Sequence, residues 1–508
     1  MKKLGSLLLV LVMLATCITV TASAEEKHLD VFRVAVQSTP KTLDPGASIA
    51  NPNLMMDQNI FDNLMLRDNI NGGILTSNLC ESWSTIDEKT YEFNLKKGIL
   101  FHNGAELKAE DVEYSIERII FGDPSYFNGT IRTIVPNLED VEVVDDYTVR
   151  VHMAEPDPVL IDRLSSMLGI YIVPKAYVEE VGLETFGVKP IGTGPYKVVE
   201  YSPERIVLEY FEGFYGERPL ADRVEYLYYP EVSVRLTALL NGEVDMALGL
   251  YPENIPTVES AGNHIDSTIV ASIHLLEYNT TVEPMDDPLL RKAMNLAIDR
   301  EALCEFLWGG QAVLANGYNF KEYGDYYIPD FPYYEYDVEQ AKELVKQSKY
   351  NGETIYYELT SGYYTLGNEV AEAICSMWHD IGINAEVRFD GGHRSEDYHV
   401  HNWSNGPRFF DPTGGMWLLW GTGSRSEKWW QNADAWQEYV DNAHTLLTSF
   451  DKDARYAANK RMLELWEDAL VGTVMFQISE ITAYRQGLKF LRGPDFCIDF
   501  RAEHLMLE

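Results

Sequence analysis

Positive charge is what this sequence has least of: 41 lysines and arginines stand against 79 aspartates and glutamates in 508 residues, a formal net charge of -38. Nucleic acid is thereby disfavoured as a partner, because phosphate binding depends on clustered cations that release counterions. The acidity suits a soluble protein that repels its own copies, and a monomer is expected. Cysteine is nearly as scarce. Of the five, Cys80, Cys304, Cys375 and Cys497 stand far apart with no metal-type spacing, which leaves one or two disulfides and buried free thiols both open. Also missing are a Gly-x-Ser-x-Gly elbow, a His-Glu-x-x-His zinc helix and a phosphate-cradling Gly-x-x-x-x-Gly-Lys loop. The residues thus offer no motif for these enzyme classes, and no cofactor is expected. A secreted hydrolase acting on an oligomeric substrate stays as an alternative, since paired glycosidase carboxylates are defined in space rather than in sequence. Past residue 24, no apolar run approaches the ~20 residues of a membrane-spanning helix.

What is present begins with Met1 to Ala24, which reads as an export signal. Lys2 and Lys3 form the basic start, Leu4 to Val20 are mostly apolar, and Ala22-Ser23-Ala24 is a small-residue cleavage site. Leu14-Ala15-Thr16-Cys17 partly resembles a lipid-attachment site. The threonine before Cys17 and the apolar residues after it favour soluble export. With 46% hydrophobic residues, the remaining chain can bury a large core divided into two or three domains.

Alternating strands are expected at "FRVAVQ", in a hairpin over Tyr91–Phe101 that turns at Lys97-Gly98, and in a second hairpin over Val141–Met153. "AELKAEDVEYSIERII" has helical spacing, with Val112, Ile116, Ile119 and Ile120 on one face. "DPLLRKAMNLAIDREALCEFLWGG" reads as one helix opened by Pro288 and stopped by Gly309-Gly310. "DVEQAKELVKQSKYNG" reads as another, capped by Asp337.

Several blocks, taken in order, resemble the family 5 extracellular solute-binding proteins, which serve peptide and nickel ABC importers. They are "TLDP" at Thr42, "ESWSTIDEKTYEFNLKKGILFHNGAELKAEDVEYSIERI" at Glu81, "GTGPYK" at Gly192, "NGEVD" at Asn241 and "EYNTTVEPMDDPLLRKAMNLAIDREAL" at Glu277. The resemblance implies a two-lobed α/β, periplasmic-binding-protein-like fold with a ligand cleft between the lobes and an extra subdomain in the first. The expected division is signal 1–24, lobe I 25–63, 190–284 and 481–508, extra subdomain 64–189, and lobe II 285–480. It also implies docking onto a membrane permease, no catalytic chemistry, and a small solute or short peptide as ligand; the signal segment implies an extracytoplasmic location. A surface adhesin or sensor that kept the binding fold is a further alternative.

"HNWSNGPRFFDPTGG", from His401 to Gly415, falls where relatives carry a tryptophan-containing ligand loop ending in Asp-Pro or Glu-Pro. In peptide-binding relatives an aspartate four residues before the proline resembles a clamp for the peptide's α-ammonium. Here that position is Arg408, which accepts no hydrogen bond and repels an ammonium. The expected partner is a carboxylate, phosphate or phosphodiester, or a ligand without a free amino terminus at that end. The alternative is that Arg408 pairs with Asp411 or Asp390. Trp403 is a candidate apolar wall. Asp411, Arg388 and Arg394 complete the candidate ligand set, with turn formation and surface exposure as their competing roles. Among Trp417, Trp420, Trp429, Trp430 and Trp436, core packing is expected for each. His399 and His401 alternate on a presumed strand near His393, so both are weak candidates for nickel, copper or zinc, or for a metal chelate.

Overall fold

The first strand, Phe32–Val36, is buried at four of five positions rather than alternately. The reason is its place in the sheet: it runs parallel to both Arg223–Tyr228 and Met246–Ala247, and a strand flanked and covered on both faces needs no polar side. This computed structural model describes residues 28–70, 73–166 and 170–508. The expected signal, including Cys17, lies outside the described residues.

An 11-stranded sheet forms the frame. Its path runs Ala385–Phe389, Ile355–Leu359, Val400–Asn405, His264–Tyr278, Gly472–Tyr484, Met246–Ala247, Phe32–Val36, Arg223–Tyr228, Arg205–Tyr210 and Tyr196–Tyr201, and Ala312–Leu314 also pairs with Gly472–Tyr484. The two antiparallel strands at its centre, of 15 and 13 residues, carry the chain from one half of the sheet to the other. Their register runs from His264 to Ile269 and resumes at Ile273, so Val270–Ser272 form an irregularity between the halves. Such bulges bend a strand and turn what lies beyond it. A separate sheet of Cys80–Asp87, Thr90–Leu95, Thr148–Met153 and Leu138–Asp145 packs with helix Ala109–Ile120 around its own core of Phe93, Phe101, Val112, Ile116 and Ile119.

Local patterning set these elements with two exceptions. Ile99–Phe101 is not the second arm of a hairpin: Leu100 makes only a single bridge to Glu106. Thr90–Leu95 pairs instead with the strands on either side of it, because Tyr91, Phe93 and Leu95 are needed in the core that those strands enclose. The expected long helix from Pro288 ends at Leu296, and a new turn starts at Asp299, whose side chain accepts from the Ala302 amide at 2.9 Å. The break lets Arg300 turn inward, where Nε donates to the Val474 carbonyl at 2.9 Å and Nη2 to Thr473 Oγ1 at 2.8 Å. Helix Val338–Gln347 matches its reading, with Asp337 accepting from the Gln340 amide at 2.8 Å. Cys80, Cys304, Cys375 and Cys497 are buried and form no disulfide with one another. No helix among the described residues is long and apolar enough to cross a membrane.

Candidate functional site

The segment that begins at His401 is not one exposed loop. Val400–Asn405 is a strand, paired with Ile273–Tyr278 on one side and with Tyr357 and Glu358 on the other. The chain leaves the sheet at Gly406, where a Cβ would stand 2.4 Å from the Ala271 carbonyl oxygen. Only glycine permits that approach without a backbone shift. Beyond it the loop is tied to itself: Arg408 N donates to the Gly414 carbonyl at 2.7 Å, and Gly414 N to the Asp411 carbonyl at 2.8 Å. Phe409 then inserts into the core of the Cys80–Met153 sheet, with the Arg163 guanidinium 5.0 Å from its ring centre. Ser166 Oγ donates to the Arg408 carbonyl. The loop therefore bridges the two halves of the molecule.

Both oxygens of the Asp411 carboxylate are engaged within the protein. One oxygen accepts from Thr413 N at 2.9 Å and Thr413 Oγ1 at 2.7 Å, and the other pairs with the buried Arg455 at 2.7 Å. Its carboxylate is consumed in shaping the Asp-Pro turn, the role that competes with binding in the sequence. Asp390 is engaged by Thr360 at 2.8 Å and by His401 Nε2 at 3.4 Å. Neither aspartate pairs with Arg408. Among the described residues no ion pair and no side-chain hydrogen bond engages the Arg408 guanidinium, and burial lowers its pKa from the ordinary 12.5 to about 10. Its side chain, half-buried and enclosed by protein, lines a small cavity of about 20 Å³ with Gln58, Arg67, Asn69, Ser165 and Ser166 of the other half.

Arg388 belongs to a structural network. It pairs with buried Glu358 at 2.8 Å and with Asp397 at 3.1 Å, and lies over the Tyr356 ring. Arg394 is also committed, to Glu277 at 2.6 Å. Glu277 is wholly buried and holds a second guanidinium through its other oxygen, Arg425 at 2.6 Å. The two arginines lie 5.0 and 3.0 Å from the Trp403 ring centre, so Trp403 is fixed by two cations that share one carboxylate. Glu277 and Arg425 escaped the sequence reading. Arg425 sits in "GTGSRSE", whose flanking glycines were the signal available.

The two histidines do not converge. His399 Nδ1 accepts from the Tyr356 amide at 3.2 Å, while His401 faces Asp390 and Arg394. Ligand atoms of Glu358, Asp390 and His401 do lie within 4.8 Å of one another, but Arg388 already holds Glu358, and Arg394 lies 2.9 Å from His401 Nδ1. Those guanidiniums supply the positive charge a metal would bring. Trp420, Trp429 and Trp430 are core, as expected, and Trp417 and Trp436 pack against the same cluster.

A bridging loop and a sheet in two halves define a two-lobed α/β fold of the periplasmic-binding-protein type. Residues 75–427 match the bacterial extracellular solute-binding proteins, family 5 (middle). The chain belongs to that family, one of binding proteins. It is 26% identical over 423 residues to the dipeptide-binding protein of Escherichia coli K12, covering 76% of each chain. With the glutathione-binding protein GsiB of the same strain the identity is 27% over 394 residues, 76% of this chain and 75% of that one. The fold matches DppA of Helicobacter pylori in complex with peptide STSA at a TM-score of 0.83 and 22% identity, over 95% of this chain and 99% of that one. It also matches NikZ of Campylobacter jejuni in complex with Ni(L-His), at 0.80 and 22%, over 91% and 95%.

Proposed function

We propose that this protein is the exported receptor of an ABC importer, that it captures a peptide or peptide-like solute between its lobes and hands it to a membrane permease, and that it performs no chemistry on it. Family membership and relatives named for dipeptides and glutathione support the solute class. The same reading assigns residues 25–63, 190–284 and 481–508 to lobe I, 64–189 to its extra subdomain and 285–480 to lobe II. Separate apolar cores on the two sides of the long central strands support that division. The chain acts as a monomer outside the cytoplasm.

The observation that carries the specificity is Arg408. An enclosed guanidinium without a carboxylate partner is costly unless something negative meets it. The solute therefore brings an oxyanion, or at least no free ammonium, to the Arg408 end. A second reading, a receptor for nickel or another metal chelate, has a specific point in its favour. The carboxylates of a chelating ligand would suit the same arginines, and NikZ shares the fold in complex with Ni(L-His).

Native mass spectrometry of the purified, unheated protein, followed by release of any bound mass and calorimetric titration of wild type and Arg408→Ala with what is released, tests this. An N-blocked or acidic peptide whose affinity falls at least about tenfold in the variant is expected, the loss of one charge-assisted hydrogen bond. A mixture of free-amino-terminus peptides that bind the variant equally well would sink the role of Arg408. A single metal chelate would favour the second reading.

A further inference from the structure

Arg408 has a counterpart of opposite sign. Glu480 stands on the strand Gly472–Tyr484, and among the described residues no hydrogen bond and no ion pair engages its carboxylate. The Arg492 guanidinium reaches the Glu480 backbone carbonyl, at 3.5 Å from Nη1, and not the carboxylate. Burial raises the pKa of Glu480, and the charge of Arg492 offsets this only in part. An enclosed carboxylate of this kind is costly until a cation or a set of donors meets it.

Glu480 lines a small cavity of about 10 Å³ together with Gln37, Ser38, Asn51 and Gly249, room for about one water-sized group. Gly249 has a φ of +62°, and a Cβ on it would stand 2.9 Å from Gln37 Oε1, so the glycine lets the Gln37 amide lie against this wall. No cation lines the cavity. One carboxylate among neutral hydroxyl and amide acceptors matches a primary ammonium, which offers three donors and no acceptor. The cavity and the Arg408 loop also flank one junction. Glu480 faces Thr268 in the sheet register, and Gly406, where that loop leaves the sheet, packs against the carbonyl of Ala271, three residues further along the same strand. Three extended residues span about 10 Å, the length of a short peptide at ~3.3–3.6 Å per residue.

We infer that Glu480 reads a primary ammonium of the solute, seated in the cavity beside Gln37, Ser38 and Asn51, while a carboxylate of the same molecule faces Arg408. The inference rests on the peptide-like reading above and narrows it. The solute is a zwitterion, a short peptide lying with its amino end at Glu480 and its carboxylate toward Arg408. Each end then meets a charge-assisted hydrogen bond of the correct sign. In the competing role Glu480 stays protonated or turns to Arg492, and its replacement would affect every ligand alike.

The test uses three defined probes, titrated calorimetrically into protein stripped of bound material by reversible unfolding: Ala-Ala-Ala, N-acetyl-Ala-Ala-Ala and the C-terminal amide of Ala-Ala-Ala. In wild type the free peptide is expected to bind at least about tenfold tighter than the acetyl peptide, the effect of one charge-assisted contact. In Glu480→Gln that preference should fall below about 3-fold while the acetyl peptide keeps its affinity within about 2-fold. Acetyl peptide binding as tightly as free peptide in wild type overturns the inference, and so does a preference that survives in the variant. The preference for free peptide over amide reports the Arg408 end separately. If it is at least about tenfold in wild type and lost in Arg408→Ala, the broader reading stands even where the inference fails. Binding of none of the three overturns both. Should the glutamine variant fail to fold, Glu480→Asp keeps the charge but withdraws it by one methylene. A preference for free over acetyl peptide reduced at least about 3-fold there supports the inference, and an unchanged preference overturns it.

Discussion

Replacing Arg408 by methionine should make the ligand-free protein more stable and a worse receptor at once. In the folded state the guanidinium is held with a pKa of about 10. Against an ordinary 12.5, at 1.36 kcal/mol per pH unit, this corresponds to about 3 kcal/mol of disfavoured charge. Methionine keeps most of the alkyl stem's packing but loses the donors, and part of the penalty is relieved by the accessible side of the pocket. The expected net gain is therefore about 1–2 kcal/mol. The sign has a pH signature. A cation whose folded pKa is depressed costs stability in full below the folded value, and the cost fades as pH rises from about 10 toward 12.5. The advantage of the variant should thus be constant near neutrality and shrink above pH 10. Urea unfolding of ligand-stripped protein measures it, as a midpoint shift at unchanged slope. Stripping is essential, because bound solute would stabilise wild type by mass action. A variant less stable than wild type by more than about 1 kcal/mol would refute the reasoning, since the guanidinium would then hold structure rather than await a ligand.

Other outcomes follow from the same geometry. Asp411→Asn keeps an acceptor for Thr413 but leaves Arg455 unpaired where both partners are only 5% exposed, and should cost about 3–5 kcal/mol in a urea titration. His102 accepts from the Gly192 amide at 3.2 Å and donates to the Gly194 carbonyl at 3.0 Å, which fixes a neutral ring. Burial pushes its pKa down to about 4, as it does for His274. Stability should be full above pH 6.5 and fall as the pH drops from 6.5 toward 4, by up to roughly 3 kcal/mol per histidine. In His102→Gln about half of that dependence should vanish, and an unchanged pH profile would contradict the assignment. The four buried thiols predict that dithiothreitol leaves the melting temperature unchanged and that a thiol reagent labels none of them until the chain unfolds. A melting point lowered by reductant would reveal a disulfide.

The sequence by itself determined the family, the α/β class and most of the local elements. These depend on signals a few residues long: the stripe of Ala341 and Val345 behind the Asp337 cap, the turn at Lys97-Gly98, and the ordered blocks from Thr42 to Glu277. Periodicity reports which face of an element is buried, and it does so regardless of what the partner is. It failed where tertiary demand overrode it. The chain breaks after Leu296 so that Arg300 can reach Val474 and Thr473, and Thr90–Leu95 pairs with Cys80–Asp87 just before it and with the distant Thr148–Met153 rather than with the segment just beyond its turn.

The site divides the same way. That the loop carries an arginine at position 408, four residues before its Asp-Pro proline, could be read from the sequence. That it has no carboxylate could not, because Asp411, three residues away, is taken by Arg455, 44 residues further on. Glu277 meets Arg394 and Arg425 across separations of 117 and 148 residues. Which charges neutralise one another is decided by distance in space and by exclusion of water, and both exist only once the sheet has brought the strands together.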